Sequence, residues 1–185
     1  RYSAIMVGIG TVLADDPTLN CRIEGCLSPT RIICDTNLRI PMESNIVRTA
    51  DTYPTIIATR SNDQEKVGRL EEAGCQVLVQ EGQGPGIDLV DLMDRIGAMG
   101  LDSVLLEGGG QLNWSALEAG IVSKVQVYIG NKIFGGKEAK SPVGGSGVDL
   151  PDQARSLRLK SIEAFGPDLL INYIVENEVV ECSQE

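Results

Sequence analysis

The apolar positions of this chain fall into short blocks at two spacings. Ala4-Ile5-Met6-Val7, Arg31-Ile32-Ile33-Cys34, Thr55-Ile56-Ile57-Ala58-Thr59, Val77-Leu78-Val79 and Ser103-Val104-Leu105-Leu106 are near-continuous apolar runs of strand length. Runs of that kind belong to strands covered on both faces. Between them the spacing becomes helical. Val67 and Leu70 share a face of a segment that runs from Asp63, a capping residue, to Ala73, with Gly74 as its stop. Asp88 heads a second such segment, with Leu89, Leu92, Met93 and Ile96 at helical intervals, and residues 112–119 predict a third. The repeated βα rhythm argues for a parallel sheet with helices on both faces. After Gly120 the pattern alternates at 124–129, 157–162 and 169–175, with Gly166-Pro167 turning between the last two, so antiparallel strands are expected to finish the same sheet. The predicted fold is α/β and three-layered: a mixed, mostly parallel sheet flanked by helices, with antiparallel C-terminal strands.

Length adds that 185 residues form one domain large enough to bury a real core. That domain is expected over residues 1–175, followed by a frayed acidic tail over 176–185. No apolar run approaches the ~20 residues that span a bilayer, and no signal-peptide pattern opens the chain. No membrane contact and a cytoplasmic location are therefore expected. A net charge of −10 speaks against a nucleic-acid partner, which needs clustered Lys and Arg. It also means that an anionic substrate must be held by local positive potential, from a helix N-terminus or a placed arginine. The chain has no histidine, which removes Ser-His-Asp and Cys-His catalysis, imidazole acid/base work and every His-containing metal site. Cys21, Cys26, Cys34, Cys75 and Cys182 are scattered with no CxxC pair, so neither a disulfide framework nor a bound metal is expected.

Candidate chemistry concentrates in two places. Residues 7–22, VGIGTVLADDPTLNCR, lead from an apolar strand through Gly8 and Gly10, which let the backbone turn and a ligand approach. Asp16 precedes Pro17, which favours extended backbone there. The spacing predicts a fixed polar loop at the mouth of a strand, where α/β sheets bind ligands. Later, Glu107 ends a strand expected to be buried, where an unpaired carboxylate is costly, and Gly108-Gly109-Gly110 then enter a helix whose N-terminus offers free N–H groups to a pyrophosphate. Gly8-Ile9-Gly10 lacks the third glycine of a GxGxxG fingerprint. Residues 130–137, GNKIFGGK, miss P-loop spacing by one, and Glu138 stands where Ser or Thr is needed. Residues 135–147 read as a flexible loop near the site.

The pattern GxGTVLADDPxLxxR, followed in order by Leu105-Leu106-Glu107-Gly108-Gly109-Gly110 and a helix, resembles the reductase domain of the bacterial riboflavin-biosynthesis bifunctional deaminase/reductase. The resemblance covers about residues 2–175. It implies a dihydrofolate-reductase-like fold and NADPH-dependent reduction of 5-amino-6-(5-phosphoribosylamino)uracil to 5-amino-6-(5-phosphoribitylamino)uracil. Carried onto this sequence, it assigns Thr11, Asp15, Thr36, Gly109, Gly110, Gln111, Leu112, Asn113, Trp114 and Ser115 to the cofactor. Leu19, Arg22 and Glu107 go to the substrate, with Glu107 and Asp15 as the catalytic candidates. The fork of Arg22 suits a phosphate, to which it offers two parallel charged hydrogen bonds.

Bland alternatives stand beside these roles. Asp15-Asp16-Pro17 can be a turn with Arg22 on the surface, and Glu107 can cap backbone amides. Arg60, in Thr59-Arg60-Ser61, either meets the 2′-phosphate of the cofactor or sits in a solvated turn. The proton donor stays open between Asp15, water and a lysine upstream of Arg1. Family members open this domain with a strand and a Lys-x-Ala-x-Ser-x-Asp-Gly loop, absent here along with the H-x-E and P-C-x-x-C signature of the deaminase. The resemblance thus implies a piece of a longer protein with a deaminase domain upstream, and a homodimer. Two rival functions remain: a related reductase acting on the diamino-pyrimidinone, and a non-catalytic nucleotide-binding domain.

Overall fold

In the structure, a computed structural model, residues 2–82, 84–137, 139 and 141–176 are described. Strands β1 (Ala4–Gly8), β2 (Thr30–Cys34), β3 (Thr55–Thr59), β4 (Gln76–Val79) and β5 (Val104–Gly108) form a sheet in the order β4-β3-β2-β1-β5, every pairing parallel. Helices α1 (Ile9–Asp15), α2 (Asn45–Arg48) and α3 (Gln64–Glu72) pack on one face; α4 (Leu89–Ala98) and α5 (Gly110–Glu118) pack on the other. Alternation along each strand builds these layers. Val7, Ile33 and Ile57 join Val12, Ile46, Val47, Val67 and Leu70 in one core, while Met6, Ile32, Ile56 and Ala58 join Leu89, Leu92, Ile96 and Ala116 in the other. Asp63 caps α3 by accepting from the Lys66 N–H, Gly74 leaves it at φ +92°, and Asp88 caps α4 through the Val90 and Asp91 N–H groups.

Three expectations are corrected. The C-terminal strands β6 (Lys124–Ile129), β7 (Leu157–Phe165) and β8 (Asp168–Val175) do not finish the parallel sheet. They form an antiparallel sheet of their own in the order β6-β8-β7, because central β8 is hydrogen-bonded to β6 along one edge and to its hairpin partner β7 along the other. Residues 9–15 are helical rather than a loop: Gly8 stays extended at the end of β1, Gly10 accepts helical backbone, and Val12 buries against the core. Asp16 is left-handed (φ 40°, ψ 55°), not extended. Its N–H closes α1 on the Val12 carbonyl, and its carboxylate is engaged elsewhere, so tertiary bonds override the preference set by Pro17. The tail beyond residue 176 lies outside the described residues, as do Cys182 and Glu138. Among the described residues no helix is long and apolar enough to cross a membrane.

Candidate functional site

The chain steps outward from β1 through β2, β3 and β4, then returns to lay β5 on the other side of β1. Connections therefore diverge at the C-terminal ends of β1 and β5, the point where open α/β sheets leave a crevice. Gly8 and Gly108 stand there. A Cβ on Gly8 would lie 3.7 Å from the Gly108 carbonyl oxygen, and one on Gly108 would lie 3.1 Å from Leu112 Cδ2, so the two sequence motifs are in contact. Gly109 follows at φ +81°, a conformation that side-chain-bearing residues rarely adopt; the first atom a Cβ would meet is Thr11 Oγ1, at 3.7 Å. No side chain caps α5. The Gly109 backbone and the Thr11 hydroxyl thus share one lip with the start of α5, where residues 141–144 lie against Gly110, and this lip could take the pyrophosphate of a dinucleotide.

Beside this lip lies a cleft of about 330 Å³ lined by Ile5, Pro17, Thr18, Leu19, Asn20, Cys21, Arg22, Pro29 and Glu107. Arg22 and Glu107, far apart in sequence, face the same cavity. Glu107 is exposed rather than buried, a correction to the expectation for the end of a core strand. Next to it Gly108 is buried, and the β1–β5 register slips between Met6 and Val7. An exposed carboxylate carries no desolvation cost and is free to accept from a ligand.

The loop over the cleft is held in an unusual shape. Asp16 (φ 40°) and Leu19 (φ 53°) are both left-handed non-glycine residues flanking Pro17-Thr18. The Asp16 carboxylate accepts from the Asn45 backbone N–H at 2.8 Å and from Asn45 Nδ2 at 3.0 Å, which pins the loop to the start of α2. The Thr18 carbonyl accepts from Arg31 Nη1 at 3.0 Å, and the Cys21 N–H donates to Ser28 Oγ at 3.1 Å. The cleft carries a guanidinium and a carboxylate on otherwise largely neutral walls. Chemically, such an arrangement could take a molecule with a phosphate at one end and hydroxyls at the other.

The remaining candidates divide. Asp15, the last residue of α1, is exposed and does not line the cleft. Thr36 and Arg60 come together, since the Arg60 N–H donates to the Thr36 carbonyl at 3.0 Å. Arg60 is no free turn residue. Its Nη1 donates to the Gly86 carbonyl at 2.9 Å, and it lines a second cavity of about 410 Å³ with Gln80, Glu81, Asp88, Asp91 and Arg95.

Around α5, sequence reasoning missed a contact. Residues 141–146 lie across the helix start: the Gly144 N–H donates to the Gly110 carbonyl at 2.9 Å, Asn113 Nδ2 to the Pro142 carbonyl at 2.8 Å, and Trp114 Nε1 to Ser146 Oγ at 3.1 Å. Asn113 and Trp114 thus donate to the chain itself, while Asn113 Oδ1 is buried with no partner among the described residues. The glycine pair of PVGGSG was the available signal: a Cβ on Gly110 would come within 2.8 Å of Gly144 N, and one on Gly145 within 2.2 Å of Trp114 Cδ1. Among the described residues all four cysteines are free and no group of side chains is arranged to hold a metal ion.

Comparison with known proteins meets this geometry. Residues 1–171 match the model of the RibD C-terminal domain. The chain belongs to the RibD C-terminal domain family. It is 50% identical over 175 residues to riboflavin biosynthesis protein RibD of Actinobacillus pleuropneumoniae, covering 95% of this chain but 46% of that protein. It is 37% identical over 177 residues to 2,5-diamino-6-ribosylamino-4(3H)-pyrimidinone 5′-phosphate reductase of Methanothermobacter thermautotrophicus, covering 94% of this chain and 80% of that one. Its fold matches the crystal structure of a diaminohydroxyphosphoribosylaminopyrimidine deaminase/5-amino-6-(5-phosphoribosylamino)uracil reductase from Thermotoga maritima. The TM-score is 0.76 at 22% identity, over 94% of this chain and 45% of that one. The RibD chain from Actinobacillus is thus about twice as long as the segment this chain matches in it.

Proposed function

We propose that this RibD-family domain is an NADPH-dependent reductase that converts 5-amino-6-(5-phosphoribosylamino)uracil to 5-amino-6-(5-phosphoribitylamino)uracil. The observation that carries this reading is the single cleft shared by Arg22 and Glu107, with Glu107 two residues from the bare backbone of Gly109. NADPH, when bound, supplies a hydride to the sugar C1 of the ring-opened substrate. Thr11, Gly109, Gly110 and the start of α5 would hold it, with Thr36 a further contact. Arg22 takes the substrate phosphate through two parallel N–H donors, and Leu19 packs against the substrate. Glu107 accepts from sugar hydroxyls and so fixes the reacting carbon. Placement of this kind is the main protein contribution to hydride transfer. Of the two catalytic candidates, Glu107 lines the cleft and Asp15 does not, so we place the direct role on Glu107.

The relative from Methanothermobacter favours a second substrate, the 2,5-diamino-6-ribosylamino-4(3H)-pyrimidinone 5′-phosphate of its name. Loss of NADPH absorbance, measured with the complete native protein and each substrate in turn, decides the matter. Faster turnover of the uracil is expected; preference for the diamino compound would transfer the assignment to it, and NADPH binding without turnover of either would refute the reductase reading.

Context follows the same family. A deaminase domain preceding this one is supported by the Thermotoga protein, described as a deaminase/reductase. Free thiols suit the reducing cytoplasm. A homodimer is supported by the apolar, largely exposed face that Val127, Ile171 and Ile162 share by register on the antiparallel sheet.

A further inference from the structure

Arg31 is the largest fully buried side chain among the described residues, at 0% exposure on β2, the central strand of the parallel sheet. Its Nε donates to Thr55 Oγ1 at 3.0 Å; Nη1 donates to the Thr18 carbonyl at 3.0 Å and Thr49 Oγ1 at 2.9 Å. Nη2 donates to the Ile46 carbonyl at 2.9 Å, the Tyr53 carbonyl at 3.2 Å and Thr55 Oγ1 at 2.6 Å. The Tyr53 ring lies 5.3 Å from the guanidinium carbon. A guanidinium has five N–H donors, and here each nitrogen is engaged, every acceptor being neutral. The ion pairs found among the described residues join Arg95 to Asp91 and Arg158 to Glu176, and neither involves Arg31. A buried charge is ordinarily paired. Even with burial drawing its pKa down, an arginine stays charged at neutral pH.

The acceptors come from the cleft loop (Thr18), α2 and its cap (Ile46, Thr49), the turn before β3 (Tyr53) and β3 itself (Thr55). Of these, Thr18 lines the cleft between Pro17 and Leu19. We propose that Arg31 is a positioning residue for the phosphorylated substrate. It fixes the Thr18 peptide, and with it the left-handed turn that carries Arg22. Its uncompensated charge, held under the cleft wall, gives an anion a favourable local potential in a chain of net charge −10. The inference rests on the substrate reading above for the identity of the anion. Arg31 also serves the fold, since an apolar residue at this point in β2 would leave the Thr18, Ile46 and Tyr53 carbonyls without this donor. A fully donating cation that reaches the cleft loop is what phosphate binding adds.

The test is Arg31→Lys in the complete protein. It keeps the charge but cannot span acceptors from four segments. KM for the phosphorylated substrate is expected to rise at least ~10-fold, with the dissociation constant for NADPH within about twofold of wild type. KM for the dephosphorylated analogue should move much less. Equal losses for both substrates, or an unchanged KM, would overturn the proposal. If Arg31→Lys does not fold, Thr55→Val takes its place, removing the hydroxyl that receives Nε and Nη2 while leaving the charge; the same split in KM is expected, and its absence counts against the role. Should the wild type turn over neither substrate, the functional reading fails separately. Calorimetric binding of inorganic phosphate then decides Arg31: weaker binding by the variant supports the role, and equal binding ends it.

Discussion

Arg22 and Glu107 bring opposite charges to one cleft, and under the proposed function their variants should separate accordingly. Arg22→Ala removes a charged fork and should raise KM for the phosphorylated substrate roughly 10- to 100-fold, since hydrogen bonds to charged groups are worth about 1.5–3 kcal/mol. NADPH affinity should change little; parallel losses in both would argue against a phosphate contact. Glu107→Gln keeps the shape and loses the charge of an exposed side chain, so the fold should survive while kcat/KM falls by about the same factor. Near-wild-type kinetics would take Glu107 out of the site.

Burial pushes the Cys34 thiol up to about 12 and Cys75 to about 11. Desolvation leads in both cases, opposed at Cys75 by the Arg31 charge. Unfolded thiols ionise near pH ~8.5, so above that value the unfolded chain releases protons that the folded chain keeps. The sign is a loss of stability with rising pH. Denaturant midpoints should fall between about pH 8 and pH 10, and Cys34→Ala should flatten that slope. An unchanged slope would show that the Cys34 thiol ionises as readily folded as unfolded.

At the scale of elements, the strands and long helices were legible because their signals are local. Asp63, Gly74 and Asp88 mark helix ends by their own chemistry, and apolar runs mark buried strands. What was not legible depends on contacts distant in sequence. Residues 9–15 read as a loop because two glycines and an Asp-Asp-Pro run carry turn chemistry, yet Val12 packs into the core and the helix forms. Asp16 and Leu19 take left-handed backbone because Asn45 and Arg31 hold the loop between them. Four-residue α2 has no periodicity to find. The site motifs themselves were plain, but the contact of residues 141–146 with α5 was not, since only its glycines hint that something lies against them. That contact is testable. Gly145 sits at φ +81° with no room for a Cβ beside Trp114, the only tryptophan in the chain. Gly145→Val should displace the segment, shift tryptophan emission and weaken NADPH binding; unaltered emission would show that the segment does not rest on the indole.

At the scale of the molecule, one face of the antiparallel sheet stays open among the described residues. By register, one face carries Val125, Val127 and Ile129 from β6, Leu169, Ile171 and Tyr173 from β8, and Leu159, Ile162 and Ala164 from β7. Ile162 is 58% exposed, Leu159 51% and Ile129 47%, so this apolar face lies largely open. The opposite face is mixed: Gln126, Asn172, Ser161 and Glu163 form a polar ladder, beside which Tyr128 and Phe165 meet edge to face. An open apolar face of that extent fits an interface, and pairing it with the same face of a second chain about a two-fold axis would bury both copies at once. Under the proposed homodimer, sedimentation should give twice the monomer mass. Ile162→Lys would place a charge in the contact from each copy and should raise the dissociation constant about 100-fold or more, because a buried, unpaired ammonium costs several kcal/mol. A wild-type protein that sediments as a monomer at micromolar concentration would refute the dimer while leaving the cleft of Arg22 and Glu107, which is built within one chain, unaffected.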